Sequence, residues 1–231
     1  MLDLRDLRYS YPDGTPALAG ISLRIDAGER VALLGANGAG KSTLLLHLNG
    51  LLRGSGSLTV DRLPLSAATL AQIRQRVGLV FQDPDDQLFC ASVIEDVAFG
   101  PRQAKLPEAE VQARTAEALA AMGISDLARR HPHHLSLGQK KRAAIATALA
   151  MRPLVLVLDE PSASLDPRTR RELIARLAAL PCTLVVASHD LALVRELCPR
   201  TIILDAGRIA ADGPTAELLA DAGLLARTGL S

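Results

Sequence analysis

The residues of this chain best suited to chemistry are Gly35-Ala36-Asn37-Gly38-Ala39-Gly40-Lys41-Ser42-Thr43. Their spacing fits G-x-x-x-x-G-K-[ST], a loop that binds phosphate groups. Gly35, Gly38 and Gly40 reach backbone angles closed to other residues. The N–H groups between them, including those of Asn37 and Ala39, therefore turn inward as an anion nest that runs on to Thr43. A helix opening near Lys41 adds its positive dipole end. Lys41 would reach the β- and γ-phosphates of a nucleotide, and the Ser42 hydroxyl would ligate Mg²⁺.

A second group of candidates ends three other apolar runs. Asp159 and Glu160 follow Leu154–Leu158, which places one carboxylate to organise Mg²⁺ and a second to polarise the attacking water. Gln82 closes Val77–Phe81, where its amide would meet Mg²⁺ or water. His189 ends Leu184–Ser188, within reach of a γ-phosphate. Alone, a strand-terminal Gln is an ordinary solvated side chain and a lone His an ordinary structural one. The phosphate loop upstream gives both a purpose. Ser136 would cap a helix running through Leu149, and its hydroxyl and the following N–H groups suit an anion.

Such groups converge only if strands end at them. Val31–Leu34 reads as the buried strand feeding the loop, with the Leu-rich helix Leu44–Leu48 beyond it. Met1–Leu7 alternates apolar and charged residues as a half-exposed strand does, Tyr11-Pro12-Asp13-Gly14 is a turn, and Leu18–Ile25 returns. Gly54-Ser55-Gly56-Ser57 is expected to break the chain before a short strand, Leu58–Val60. These pieces predict an antiparallel β-subdomain. Helices are expected at Leu70–Gln75, Val93–Phe99 and Glu108–Met122, the last with Pro107 in its first turn, so that 83–150 forms a helical insertion. Strand Leu154–Leu158, helix Pro167–Leu180, strand Thr183–Ala187, helix Leu191–Leu197 and strand Ile202–Leu204 then alternate. That order implies an α/β chain with a mostly parallel sheet. Ala206-Gly207 reads as a hairpin turn, a last helix lies around Ala216–Ala220, and 1–231 is expected to be a single domain.

Composition narrows the function. At 231 residues the chain can bury a sizeable core. A net charge of +1 argues neither for nor against nucleic acid, but aromatics are confined to Tyr9, Tyr11, Phe81, Phe89 and Phe99. A base-stacking platform is therefore not expected, nor a nucleic-acid partner. Three widely spaced cysteines indicate a reducing compartment. The N-terminus lacks the pattern of a signal peptide, and no apolar run reaches the length of about 18 residues that a membrane span needs. Work at a membrane would go through partners.

In order along the chain stand the phosphate loop Gly35–Thr43, Gln82, Leu135-Ser136-Leu137-Gly138-Gln139, Asp159-Glu160-Pro161, Ser164-Leu165-Asp166 and Ser188-His189-Asp190. Over essentially the whole chain this set resembles the nucleotide-binding subunit of ATP-binding-cassette (ABC) transporters. The resemblance implies the ABC ATPase fold: a P-loop NTPase core with a mostly parallel sheet, an antiparallel β-subdomain and a helical subdomain. It implies ATP and Mg²⁺ as ligands, with Tyr11 stacked on adenine. Ser136, Gly138 and Gln139 would contact the γ-phosphate held by a second copy, and Asp166 would lie in the loop crossing between copies. The implied assembly is a head-to-tail homodimer with two ATP molecules buried at its interface. One position departs from the usual Leu-Ser-Gly-Gly-Gln pattern: Leu137 stands where the first Gly is expected.

A narrower resemblance follows. Phe81-Gln82-Asp83-Pro84-Asp85-Asp86-Gln87-Leu88-Phe89, Glu95-Asp96-Val97-Ala98-Phe99-Gly100-Pro101 and Gln139-Lys140-Lys141-Arg142 are similar to the energy-coupling-factor group. Its ATPases drive uptake of cobalt, nickel or vitamins through a membrane coupling protein. This implies a peripheral protein on the cytoplasmic face of the membrane, with integral-membrane coupling and substrate-binding subunits as partners and a receiving groove within 82–101. A complete motif set favours one gene making both ATP sites, hence cobalt or nickel over a vitamin such as biotin. A soluble ABC ATPase outside transport is the competing reading. The stretch from Lys41 to Asp159 leaves no room for the coiled coils of repair-type relatives, and the chain carries one cassette where translation-type relatives carry two. His131, His133 and His134 lack a fourth ligand and flank Pro132, so no metal site is expected there, and His47 is expected on a helix surface or in the core.

Overall fold

The computed structural model describes residues 1–230; Ser231, the last residue of the expected 1–231 unit, lies outside them. The chain opens with β1 (Leu2–Ser10) and β2 (Pro16–Ile25), joined by the turn at Tyr11–Gly14, where the Gly14 N–H donates to the Tyr11 carbonyl at 2.9 Å. Then come β3 (Arg30–Leu34), α1 (Lys41–Leu48), β4 (Ser55–Val60), β5 (Leu63–Pro64), α2 (Leu70–Arg76) and β6 (Val77–Val80). A one-turn 3₁₀ helix at Pro84–Asp86 leads to α3 (Val93–Gln103), α4 (Glu108–Met122) and α5 (Leu137–Leu149). The remainder alternates: β7 (Val155–Asp159), α6 (Pro167–Ala178), β8 (Thr183–Ala187), α7 (Leu191–Leu197), β9 (Arg200–Asp205) and β10 (Arg208–Pro214). Two short helices, α8 (Thr215–Leu218) and α9 (Ala222–Arg227), follow.

The strands form two sheets. The six-stranded sheet has the order β10-β9-β3-β8-β7-β6 and is parallel except for the β9–β10 hairpin. Its parallel strands are largely apolar because both faces are covered, whereas the edge strand β10 is polar and mostly exposed or half-buried. Alternation divides their side chains. Val31, Leu33, Val155, Val157, Val185 and Ala187 join one core with Leu44, Leu45 and Leu48 of α1 and Leu2, Leu4 and Ile21 of the other sheet. Ala32, Leu34, Leu156, Leu158, Leu184 and Val186 join a second core with Ala143 and Ile145 of α5, Leu173 and Leu177 of α6 and Leu193 of α7. Each fully buried Leu or Val contributes about 1.5–3 kcal/mol.

The second sheet, antiparallel β2-β1-β4-β5, caps α1 from the far side. Here the structure corrects the expected break at 54–57. Ser55, Gly56 and Ser57 belong to β4, with Ser55 opposite Arg8 and Ser57 opposite Arg5. Asp6, at φ +47, bulges out of β1 and shifts the register, which keeps Leu4 and Leu7 both buried. Gly56 follows that bulge at φ +92, where a Cβ would sit 2.4 Å from the Asp6 carbonyl oxygen. The Gly-Ser run is a strand because the bulge needs a residue without a side chain.

Other boundaries differ by a few residues: the expected helix Pro167–Leu180 ends at Ala178 and the expected strand Ile202–Leu204 runs Arg200–Asp205. α3 continues past Phe99 to Gln103 with Pro101 inside it, and Pro107 caps α4 from outside rather than occupying its first turn. Among the described residues no helix is long and apolar enough to cross a membrane, and no cluster of three His, Cys, Asp or Glu side chains can hold a metal ion. His131 and His133 stack at 5.1 Å, and the His131 ring nitrogen accepts the His133 N–H. His47 is a core residue, 1% exposed, with Nδ1 2.7 Å from the Thr43 carbonyl oxygen, and burial pushes its pKa down.

Candidate nucleotide-binding and hydrolysis site

Parallel pairing brings distant sequence to one edge. β3, β6, β7 and β8 all point the same way, so the loops after them gather at their C-terminal ends, where open α/β sheets bind ligands. Those loops carry Gly35–Lys41, Gln82, Glu160 and Ser188–His189. A cavity of about 290 Å³ there is lined by Tyr11, Thr15, Ala17, Asn37, Gly38, Gly40, Lys41, Ser42, Thr43, Gln82, Asp159 and Glu160.

The loop's shape is fixed by its glycines. Gly40, at φ +102, is the residue before α1, and a Cβ there would lie 2.6 Å from the Ala17 carbonyl oxygen. Gly35 and Ala39 are buried beneath the loop and do not line the cavity; they shape it. Lys41 Nζ donates to the carbonyls of Gly35 at 2.6 Å and Ala36 at 3.0 Å, which holds the ammonium over the loop. Tyr11 is tied to the same helix through its hydroxyl, 2.8 Å from Thr43 Oγ1, and is 38% exposed on the cavity wall.

The carboxylates differ in environment. Burial pushes the Asp159 carboxyl up from its ordinary pKa, and a hydrogen bond with the Ser42 side chain opposes the shift. Ser42, Gln82 and Asp159 also line a second, adjoining cavity. A hydroxyl, an amide and a carboxylate form a set of hard oxygen donors, which fits Mg²⁺ and not a soft metal. Glu160 is 7% exposed and sits at φ +45, in the left-handed region. Its Oε2 accepts the Ser188 hydroxyl at 3.4 Å and the His189 N–H at 3.3 Å, while Oε1 lies 2.9 Å from His189 Nδ1.

Four predicted residues, Ser136, Gly138, Gln139 and Asp166, lie elsewhere. Ser136, Gly138 and Gln139 do not line the phosphate cavity. Ser136 and Gln139 form a capping box: the Gln139 N–H donates to Ser136 Oγ at 3.3 Å and the Ser136 N–H to Gln139 Oε1 at 2.9 Å. A Cβ on Gly138 would meet the Thr169 methyl group at 2.4 Å, so this position needs glycine to pack on α6. Leu137 is 39% exposed at the head of α5. Asp166 caps α6, accepting the N–H groups of Arg168 and Thr169 and the Thr169 hydroxyl.

With this geometry in view, comparison with known proteins decides the family. The family model described as ABC transporter matches residues 18–163, more than half of the chain. The chain belongs to the ABC transporter family. This cassette is 50% identical over 236 residues to the energy-coupling factor transporter ATP-binding protein EcfA of Methanothermobacter thermautotrophicus, covering 100% of the chain and 76% of the relative. It is 50% identical over 230 residues to the cobalt import ATP-binding protein CbiO of Rhodobacter capsulatus, covering 97% and 82%. The solved structure of cbiO1 from Clostridium perfringens, part of the ABC transporter complex cbiONQ, matches with a TM-score of 0.86 at 42% identity, covering 99% and 94%. The cassette is thus the ATP-binding subunit of an energy-coupling-factor or CbiO-type transporter. It binds ATP and hydrolyses it to drive transport.

Sequence reasoning missed two features of this cassette. Lys141 stands in the sequence only as part of Gln139-Lys140-Lys141-Arg142, similar to the energy-coupling-factor group, yet its ammonium is buried beside Glu160, a consequence of tertiary packing that no motif encodes. Gln87 stands in the sequence only as part of the Phe81–Phe89 stretch similar to the energy-coupling-factor group. It accepts the Phe81 N–H at 3.2 Å and donates to the Ala144 carbonyl and Thr147 hydroxyl at 2.9 and 2.6 Å, which locks that loop to α5.

Proposed function

We propose that this cassette powers import of cobalt or nickel ions through integral-membrane coupling and substrate-binding subunits, from the cytoplasmic face of the membrane and as a head-to-tail homodimer. The observation that carries the membrane coupling is a groove of about 340 Å³ beside Gln82. All three phenylalanines of the chain, Phe81, Phe89 and Phe99, line it with Leu51 and Met151. Phe89 is 66% exposed and meets Phe99 edge-on at 5.0 Å. Exposed aromatics gathered in one concave patch mark a surface that a partner covers. The similarity to the energy-coupling factor protein EcfA and the cobalt import protein CbiO supports the same class of transporter, and CbiO the choice of ion.

In this reading the N–H groups of the loop and Lys41 hold the ATP phosphates. Ser42, Gln82 and Asp159 would hold Mg²⁺, which supplies charge neutralisation when bound. Glu160 accepts a proton from the attacking water, and His189, already 2.9 Å from that carboxylate, orients it at the phosphate edge. Tyr11 offers its ring to the adenine. The second copy is motivated by what one copy leaves unused: the N-terminus of the 13-residue α5, with Ser136 and Leu137 exposed, does not line its own phosphate cavity. Applied head to tail, that terminus and the Asp166 loop would close the partner's site.

The test is mass spectrometry of what co-purifies with tagged Glu160→Gln protein from detergent-solubilised membranes of its host. Cobalt- or nickel-type membrane subunits are the expected result. Vitamin-binding subunits would overturn the ion and keep the mechanism; only soluble partners would overturn the transport role.

A further inference from the structure

Among the described residues, Lys141 is the only buried lysine or arginine, at 6% exposure. Its Nζ donates to the Glu160 carbonyl oxygen at 2.8 Å and to the Gln82 carbonyl oxygen at 3.3 Å. A buried ammonium is costly unless it is hydrogen-bonded and its charge compensated. Here two loop carbonyls supply the bonds, and the neighbouring charges of Glu160, Asp83 and Asp159 supply the compensation. The arrangement joins three segments that are distant in sequence: α5, the loop after β6 and the loop after β7.

The first two of these are bound together at further points. Lys140 Nζ reaches the Asp85 carboxylate at 2.7 Å, and Gln87 reaches Ala144 and Thr147 of α5. The segment 82–87 and α5 therefore form one body. Lys141 extends that body to Glu160, whose backbone stands in the left-handed region at φ +45, one that L-residues other than glycine rarely occupy. The Glu160 carbonyl also accepts the Ala163 N–H at 3.2 Å, so the ammonium and one turn bond fix it from two sides.

We propose that Lys141 is a positioning residue for hydrolysis: its ammonium fixes the backbone at Glu160 and ties it to Gln82, so that the loop beside the phenylalanine groove and the hydrolytic carboxylate move together. The proposal rests on Glu160 being the carboxylate that polarises water. It assigns Lys141 no contact with ATP. Losing the tie misplaces the carboxylate while leaving the phosphate loop as it is, and small misplacements of a catalytic group cost rate more than binding.

The experiment compares Lys141→Met, Lys141→Gln and Lys141→Arg in the full chain, reading kcat, KM and the affinity for a fluorescent ATP analogue. Lys141→Met should lower kcat by about 10- to 100-fold, with nucleotide affinity within about threefold of the starting protein. Lys141→Arg, which keeps charge and donors, should recover most of the rate. Under single turnover, Lys141→Met added to Glu160→Gln should change the residual rate by less than about twofold, because both act through one group. If Lys141→Met does not fold, Lys141→Gln carries the same comparison, since its shorter uncharged amide loses the tie. A wild-type kcat in both variants, parallel losses of kcat and affinity, or full additivity with Glu160→Gln would overturn the proposal. Glu160→Gln hydrolysing at the wild-type rate would overturn the reading of Glu160 and the role of Lys141 with it.

Discussion

The phosphate edge and the phenylalanine groove lie on either side of Gln82 and are built on opposite principles. At the phosphate edge the binding groups are largely main chain, shaped by glycines at positive φ and backed by a helix N-terminus. At the groove the surface is largely side chain, assembled from α2, α3, α5, β6 and the loops after α1, β6 and α5. The first needs one contiguous stretch and a parallel strand before it. The second exists only once three helices and a sheet edge have packed. In the proposed reading, the ATP chemistry thus sits on a contiguous local motif, while the partner surface is assembled from side chains of several elements.

The comparison can be broken at several points. Lys41→Ala should abolish turnover, since Lys41 is the one cation among the described residues lining the cavity; near-normal ATPase activity would refute the phosphate-loop assignment. Gly35→Ala should act on the scaffold itself. Its Cβ would lie 2.4 Å from the Leu204 carbonyl oxygen at φ +150, so overpacking of about 2 kcal/mol is expected. Calorimetry should show a Tm lower by about 5 °C. An unchanged Tm would mean that the loop is less constrained than drawn.

At the groove, Phe89→Ser should weaken co-purification with membrane subunits by about tenfold, as truncating an interface aromatic does, with nucleotide affinity retained. Undiminished co-purification would move the partner's site elsewhere. The last effect is chemical and leaves ATP turnover untouched. Burial and the neighbouring Asp96 push the Cys90 thiol up to about 11. The thiolate is the reactive form, so alkylation at pH 8 should be about 100-fold slower than for an ordinary cysteine and should rise with pH until about pH 11. Fast labelling at pH 8 would show that the segment around Cys90, next to Phe89 of the groove, opens.

Most of the architecture was legible in the sequence because its signals are local. Glu108–Met122 and Thr183–Ala187 coincide with α4 and β8, set by apolar periodicity and by a continuous apolar run. What was not legible depends on partners in space. Ser55–Ser57 read as a break because Gly and Ser disfavour strands, yet the bulge at Asp6 requires Gly56. α9 and the short β5 carry little pattern of their own. At the site, the strand-end residues could be placed from their spacing, and Ser136 as a cap from its position. The pairing of His189 with Glu160 and the burial of Lys141 could not, because each depends on which strands are neighbours. Asp166 shows the reverse: its motif suggested an intermolecular loop, and within one copy its carboxylate is engaged in capping α6.

The central claim is that one copy holds half of each ATP site and a second copy completes it. Light scattering of Glu160→Gln protein in excess Mg·ATP tests this most directly. The account predicts a doubling of mass that reverts when the nucleotide is removed, and that is lost when Ser136→Arg places a bulky cation at the head of α5. A protein that stays monomeric at saturating nucleotide, or a dimer indifferent to Ser136→Arg, would contradict it.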